Sequence, residues 1–267
     1  MQRAAWNRFV KARDHYRFAL EELRCGLPKL GSAQQELVNR RSGGKAAGAS
    51  GQVYTVETPI VYNGALDDVS AGSEIRLILV ADNPGRREQA AVNRRYLVGP
   101  SGKIAEGFFR GNPSLGIDFR ENTVILNKTP IHTPRTADLR ELCRLGGPGL
   151  VKALAESQRT MARLLLEFHQ ALAPVPVWIT GYSEMRPDGI FAAYTETLGE
   201  LYRAPAGRQA AAGITGRSPL WEWLFVYRHF SMNQFTIDLR RQAAPGESLE
   251  TSLARIGTAY RRRILGW

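Results

Sequence analysis

Cysteine is scarce in this chain of 267 residues: only Cys25 and Cys143 are present. Two thiols cannot build a disulfide framework or an all-thiolate metal site. Long apolar runs are missing too, since no stretch approaches the roughly 18–20 residues that span a bilayer. A membrane partner is therefore not expected. The opening residues, MQRAAWNRFVKARDHYRFALEEL, mix charged and apolar side chains and lack the continuous apolar segment of a secretory signal. These absences together make a cytoplasmic protein the expectation. Lysine is rare as well. Six of the 36 basic residues are Lys and the rest are Arg, a skew that a GC-rich genome alone can produce.

Positive charge, by contrast, is plentiful. The formal net charge is +11 and the pI about 10.0. Two readings stand: a solvated basic surface, or an anionic partner, most often nucleic acid, drawn by a field that salt screens. With 43% hydrophobic and 23% charged residues, the chain has the apolar content for a sizeable core and is not disordered as a whole. No internal repeat and no convincing linker divides it. A single domain over residues 1–267 is expected, with residues 1–73 as a helical and loop extension packed on the core.

Four short apolar runs read as buried strands: 75–80, 123–126, 175–180 and 220–227. Helical patterns cover 2–24, 102–110, 137–145, 150–172, 189–201 and about 248–265, and the small-residue stretch 43–51 reads as a loop. Strands alternating with helices point to a three-layer α/β/α sandwich around a central, mostly parallel four-stranded sheet. Ligands in such folds bind beyond the carboxyl ends of the strands. Those ends carry Asp82-Asn83, Asn127, Gly181 and His229 in turn. This accumulation of hydrogen-bonding residues at successive strand ends is the most informative feature of the chain.

At the first end, Asp82-Asn83-Pro84-Gly85 sets two polar side chains on a turn fixed by Pro and Gly, where a water or a substrate hydroxyl can be held. The same four residues are also a common turn. Tyr96-Leu97-Val98-Gly99-Pro100-Ser101-Gly102 then precedes a helix whose free backbone N–H groups suit a phosphate or a carbonyl. VADNPGRREQ, YLVGPSGKI, VILNKTPIHTPR and VYRHFSMNQF follow one another in the order of four motifs. In these, over roughly residues 74–240, the chain resembles the uracil-DNA glycosylase superfamily, above all its iron–sulfur-cluster branch.

The resemblance implies roles, with departures. Asp82 stands where that branch has Glu. Asn83 stands where other branches carry a catalytic Asp or Asn, so either residue is a candidate to direct water. An Asn cannot deprotonate water, so its role would be orientation. Asn127 matches the base-reading Asn, whose amide presents a donor and an acceptor side by side. His229 matches the histidine that stabilises the departing base anion, although Phe230 replaces the Pro that normally follows. His132 is a competing candidate, whereas His15 and His169 read as structural. Tyr96 or Leu97 falls at the base-stacking position, and Ser231 keeps a phosphate-contacting Ser. Met232 or Phe235 falls where relatives push an apolar wedge into the duplex, with core packing the equal alternative. Ser101, Arg86, Arg87, Arg94, Arg95, Lys103 and Arg135 are candidate DNA contacts.

The branch binds its cluster through four Cys, but this chain has two, with Thr129 where one ligand is expected, so no cofactor and no metal is expected. No lysine but Lys128 lies near enough to a strand end to form a Schiff base. The function implied is a monofunctional DNA-repair glycosylase that flips uracil or a related deaminated base and hydrolyses its N-glycosidic bond, acting as a monomer. Two alternatives remain: a superfamily member that binds nucleic acid without excising a base, and an unrelated α/β enzyme binding a small phosphorylated ligand. The Arg261-Arg262-Arg263 run reads as solvated surface.

Overall fold

The computed structural model describes residues 1–43, 53–203 and 220–267. Beyond Gly43, the expected loop at 43–51 lies outside the described residues.

Four strands run almost wholly apolar and almost wholly buried: β1 (Leu77–Ala81), β2 (Thr123–Asn127), β3 (Val177–Thr180) and β4 (Leu224–Tyr227). Runs of this kind need cover on both faces, which is the situation of a parallel sheet. All three pairings are parallel and the order is β2-β1-β3-β4. Among the described residues the helices are α1 (Arg3–Gly26), α2 (Leu30–Gly43), α3 (Pro100–Arg110), α4 (Asp138–Leu172), α5 (Ala192–Tyr202), α6 (Gln234–Gln242) and α7 (Leu249–Leu265). The architecture is α/β, a three-layer α/β/α sandwich.

On one side α4 packs with α1, α2 and α5. The Phe9 ring meets Phe168 edge-on, with centroids 5.2 Å apart. Elsewhere an aromatic cluster joins Phe108 and Phe109 of α3 to Trp178 of β3 and Phe235 of α6. The expected helices at 137–145 and 150–172 meet end to end in α4. They are separated by Gly147, at φ +67° and ψ −165°, and by Pro148, which cannot donate to the preceding turn.

Three expectations are corrected. The strand expected at 220–227 begins only at Leu224, and Leu220–Trp223 is a 3₁₀ turn. The cause is Arg261, whose guanidinium donates to the carbonyls of Trp221, Glu222 and Leu224 at 2.8, 3.2 and 2.9 Å. That also moves Arg261 from the expected solvated surface to a buried structural role. Finally, the segment read as the loop Met232–Phe235 turns into α6 at Gln234, which places Phe235 in the core.

Candidate functional site

The strand order puts a reversal of winding at β1: the chain steps from β1 to β2 on one side and returns to β3 on the other. The crevice beyond the carboxyl ends at such a point is where open α/β sheets hold ligands. Asn127 closes β2 directly beside Ala81, so Asp82 and Asn83 emerge next to it. Gly181 and Tyr182 leave β3 on the far side, and Arg228 and His229 leave β4.

A buried ion pair occupies the floor. Lys128 is fully enclosed and its Nζ donates to Asp82 Oδ1 and to the Thr180 carbonyl, both at 2.5 Å. The Phe191 ring lies 5.0 Å from Nζ. Burial pulls the lysine below its ordinary value while Asp82 pulls it back up. Asp82 Oδ2 accepts from Thr136 Oγ1 at 3.2 Å. Both carboxylate oxygens therefore have protein partners. Gly181 is required here on two counts: its φ is +81°, and a Cβ would run into the Asp82 carboxylate.

Asn83 is anchored differently. Its Nδ2 donates to Thr133 Oγ1 at 2.8 Å, and that hydroxyl donates on to the Arg135 carbonyl. With the amide nitrogen engaged in this way, Oδ1 is the accepting end of the side chain. The turn is braced from below by His132, whose Nδ1 donates to the Pro84 carbonyl at 2.8 Å while Nε2 meets the Tyr54 hydroxyl at 2.8 Å. Burial pushes His132 down to about 4. Buried, neutral and committed at both nitrogens, it is a structural brace for the turn. Glu88 braces the other side. It accepts from the Gly85 N–H at 2.9 Å and from the N–H groups of Leu97 and Gly99, tying the turn to the approach of α3. Burial raises its carboxyl to about 7 against those bonds and nearby Arg120.

Asn127 and His229 supply donors. Asn127 is buried, and among the described residues its Nδ2 has no hydrogen-bond partner. An orphaned buried donor costs about 1–3 kcal/mol, which makes the Asn127 amide a candidate ligand contact. The Ser231 N–H donates to His229 Nδ1 at 3.0 Å. An Nδ1 that accepts must be unprotonated, which leaves the proton on Nε2 of a neutral ring. Burial holds His229 below its ordinary value, with Asp82 pulling up and Lys128 pushing down.

The remaining candidates are spread around this centre. Ser231 acts through its backbone, and the exposed Met232 follows it at φ +53° with its side chain 81% exposed. Ser101 lies in the first turn of α3, and Lys103 is exposed on the same helix. Arg86 and Arg87 are exposed beyond the turn, with Arg86 lying 5.0 Å from the Tyr54 ring. Tyr96 is not brought to the site as an open ring. It sits in the core, its hydroxyl 2.6 Å from that of Tyr16 and donating to the Val61 carbonyl at 2.5 Å. Leu97 is buried too, at φ +54°, with its carbonyl held by Arg120 and packed so close over Gly102 that a Cβ there would overlap it.

Sequence reasoning did not find the roles of Lys128, Thr133, Glu88 and Tyr54. A lysine directly after the last residue of a buried strand was the one signal available.

The thiols do not fit a four-iron cluster. Cys25 is exposed at the end of α1, and Cys143 is half-buried on α4. Thr129, standing where a ligand is expected, shares a buried hydrogen bond with Ser157 at 2.8 Å. Two open surface grooves of about 620 and 680 Å³ run along α4 and α1, and neither is lined by a strand-end residue. No described helix is long and apolar enough to cross a membrane. No protein-family model matches the chain, and no curated protein matches it either.

Proposed function

We propose that the protein is a monofunctional DNA glycosylase that removes uracil or a related deaminated base, working as a monomer in the cytoplasm. The observation that carries this is the orphaned Asn127 Nδ2 at the same crevice as a histidine held with its proton on Nε2. Hydrolysis of an N-glycosidic bond leaves negative charge on the departing base. A preorganised neutral donor aimed there lowers the barrier without a proton transfer. Asn127 offers its amide to the base edge, and uracil's adjacent acceptor and donor complement it.

Asn83 Oδ1 orients the attacking water, because Thr133 fixes its amide nitrogen. Asp82 is the weaker candidate, since Lys128 and Thr136 already occupy its oxygens. Lys128 itself forms no Schiff base in this reading: its Nζ is enclosed and already committed to Asp82 and Thr180. The occupied Asp82 also favours a second reading, a protein that binds nucleic acid without excising a base.

A uracil-containing duplex tests the two readings. We expect free uracil to be released, with Asn127→Ala and His229→Ala each lowering the rate about 10²–10³-fold, as for loss of one oxyanion-type donor. Salt-dependent DNA binding with no base released from uracil, hypoxanthine or xanthine would instead support the second reading.

A further inference from the structure

Of the candidate DNA contacts, Arg86 and Arg87 are exposed just beyond the turn that follows β1, and Lys103 is exposed on α3. On the β4 side a second cationic feature stands at the rim. Tyr182 follows Gly181 immediately, and Gly181 is the residue pressed against the Asp82 carboxylate. The Tyr182 ring packs on Tyr260 of α7 with centroids 4.7 Å apart. The Arg263 guanidinium lies 4.5 Å from the Tyr260 ring and 5.2 Å from the Tyr182 ring, and Arg228, next to His229, lies 5.9 Å from Tyr182.

The two arginines differ in pairing. Arg228 has Asp238 at 3.3 Å, and Asp238 is mostly buried and also accepts from the Tyr260 hydroxyl at 2.9 Å. Arg263 is exposed and, among the described residues, has no carboxylate within salt-bridge distance. A guanidinium stacked on an aromatic face loses little freedom and keeps its edge N–H groups for another partner. Those edges match the fork geometry of a phosphate.

We infer that Tyr182, Tyr260, Arg228 and Arg263 form a second phosphate-binding platform, which grips the nucleic-acid backbone on the β4 side of the crevice. This rests on reading the strand-end site as a nucleic-acid site. It explains what Arg263 does in a run otherwise divided between a buried Arg261 and an exposed Arg262. Backbone held on both sides of the crevice would fix the register in which a base enters it.

The test is the affinity of the full chain for a plain B-form duplex over a salt series, for wild type, Arg263→Gln, Arg228→Gln and the control Arg159→Gln. Arg159 is a partly exposed arginine on α4, paired with Glu156 in an i,i+3 bridge, so the control removes the same charge elsewhere. The expected result is a 3- to 10-fold loss of affinity at low salt in Arg263→Gln. The slope of log affinity against log salt should shrink by about one, with the control unchanged. Arg228→Gln should lose affinity in the same direction. Wild-type binding with a steep salt slope that Arg263→Gln and Arg228→Gln both retain would overturn the platform and leave the site reading standing. Failure of the wild type to bind DNA at all would overturn both.

Discussion

Lys128 and Asp82 form a pair in which each charge is tolerated because of the other, and the enclosed member is the lysine. Removing one partner of a buried pair leaves an uncompensated charge, which costs about 3–5 kcal/mol. Lys128→Met should therefore destabilise the protein by that order in chemical denaturation. The double change Lys128→Met with Asp82→Asn should recover much of the loss, and a double-mutant cycle measures the coupling. The same reasoning separates the two water-directing candidates. Asn83→Ala should abolish base release with little effect on the melting temperature, since Asn83 is only partly buried. Asp82→Asn should lower both, and rates corrected for the folded fraction would show whether the carboxylate matters beyond its pairing.

The turn after β4 shows how an element sorts neighbouring side chains. Met232, Asn233 and Phe235 share a short stretch of sequence, yet Met232 and Asn233 are in left-handed backbone and Phe235 begins the buried face of α6. Phe235 stacks on Phe230 at 4.4 Å and meets Phe108 edge-on at 5.0 Å. Phe235→Ala should cost about 3–5 kcal/mol of stability. Met232→Ala, at an 81% exposed position, should leave unfolding within about 0.5 kcal/mol of wild type. If Met232 is the duplex wedge, base release from double-stranded DNA should fall while release from single strands holds. Equal rates on both substrates would remove it from that role. The β3 exit makes a companion prediction. Gly181→Ala places a Cβ both at positive φ and against Asp82, so a loss of about 1–3 kcal/mol in thermal unfolding is expected, together with reduced activity.

Across the whole molecule, buried titratable groups set the pH response. Burial holds His132 and His169 down to about 4 from an ordinary 6.5. The stability they contribute is complete above about 6.5 and is lost as pH falls through 4. Glu88, raised to about 7 from 4.5, has the opposite sign: its contribution is complete below 4.5 and lost as pH rises through 7. Each window is about 2.5 pH units wide, on the order of 3 kcal/mol per group. His132 and His169 against Glu88 leave a net loss of about 3 kcal/mol between pH 7 and 4, and His229, also held down by burial, acts in the same direction. Denaturation across that range should show it. Glu88→Gln should steepen the acid loss, because the opposing contribution is gone.

While α2 and α6 were not legible, periodicity and composition were enough to determine the four apolar strands, five of the helices with a gap at 146–149 inside what became α4, and the residues that follow each strand. Those features are local, written in apolar runs of buried-strand length and in residues with restricted backbones. The tertiary structure alone decided which side chains meet. Lys128 reaches Asp82 only because β2 lies beside β1. His132 ended as a brace and His229 with its Nε2 proton free because of the carbonyl and N–H that each ring faces. Tyr96 went to the core because α1 delivers Tyr16 to its hydroxyl, and Arg261 shortened β4 from a helix far along the chain. Contacts between segments distant in sequence leave no periodic trace in either one. For that reason the strand ends were legible as a set, while the partner of each residue in that set was not.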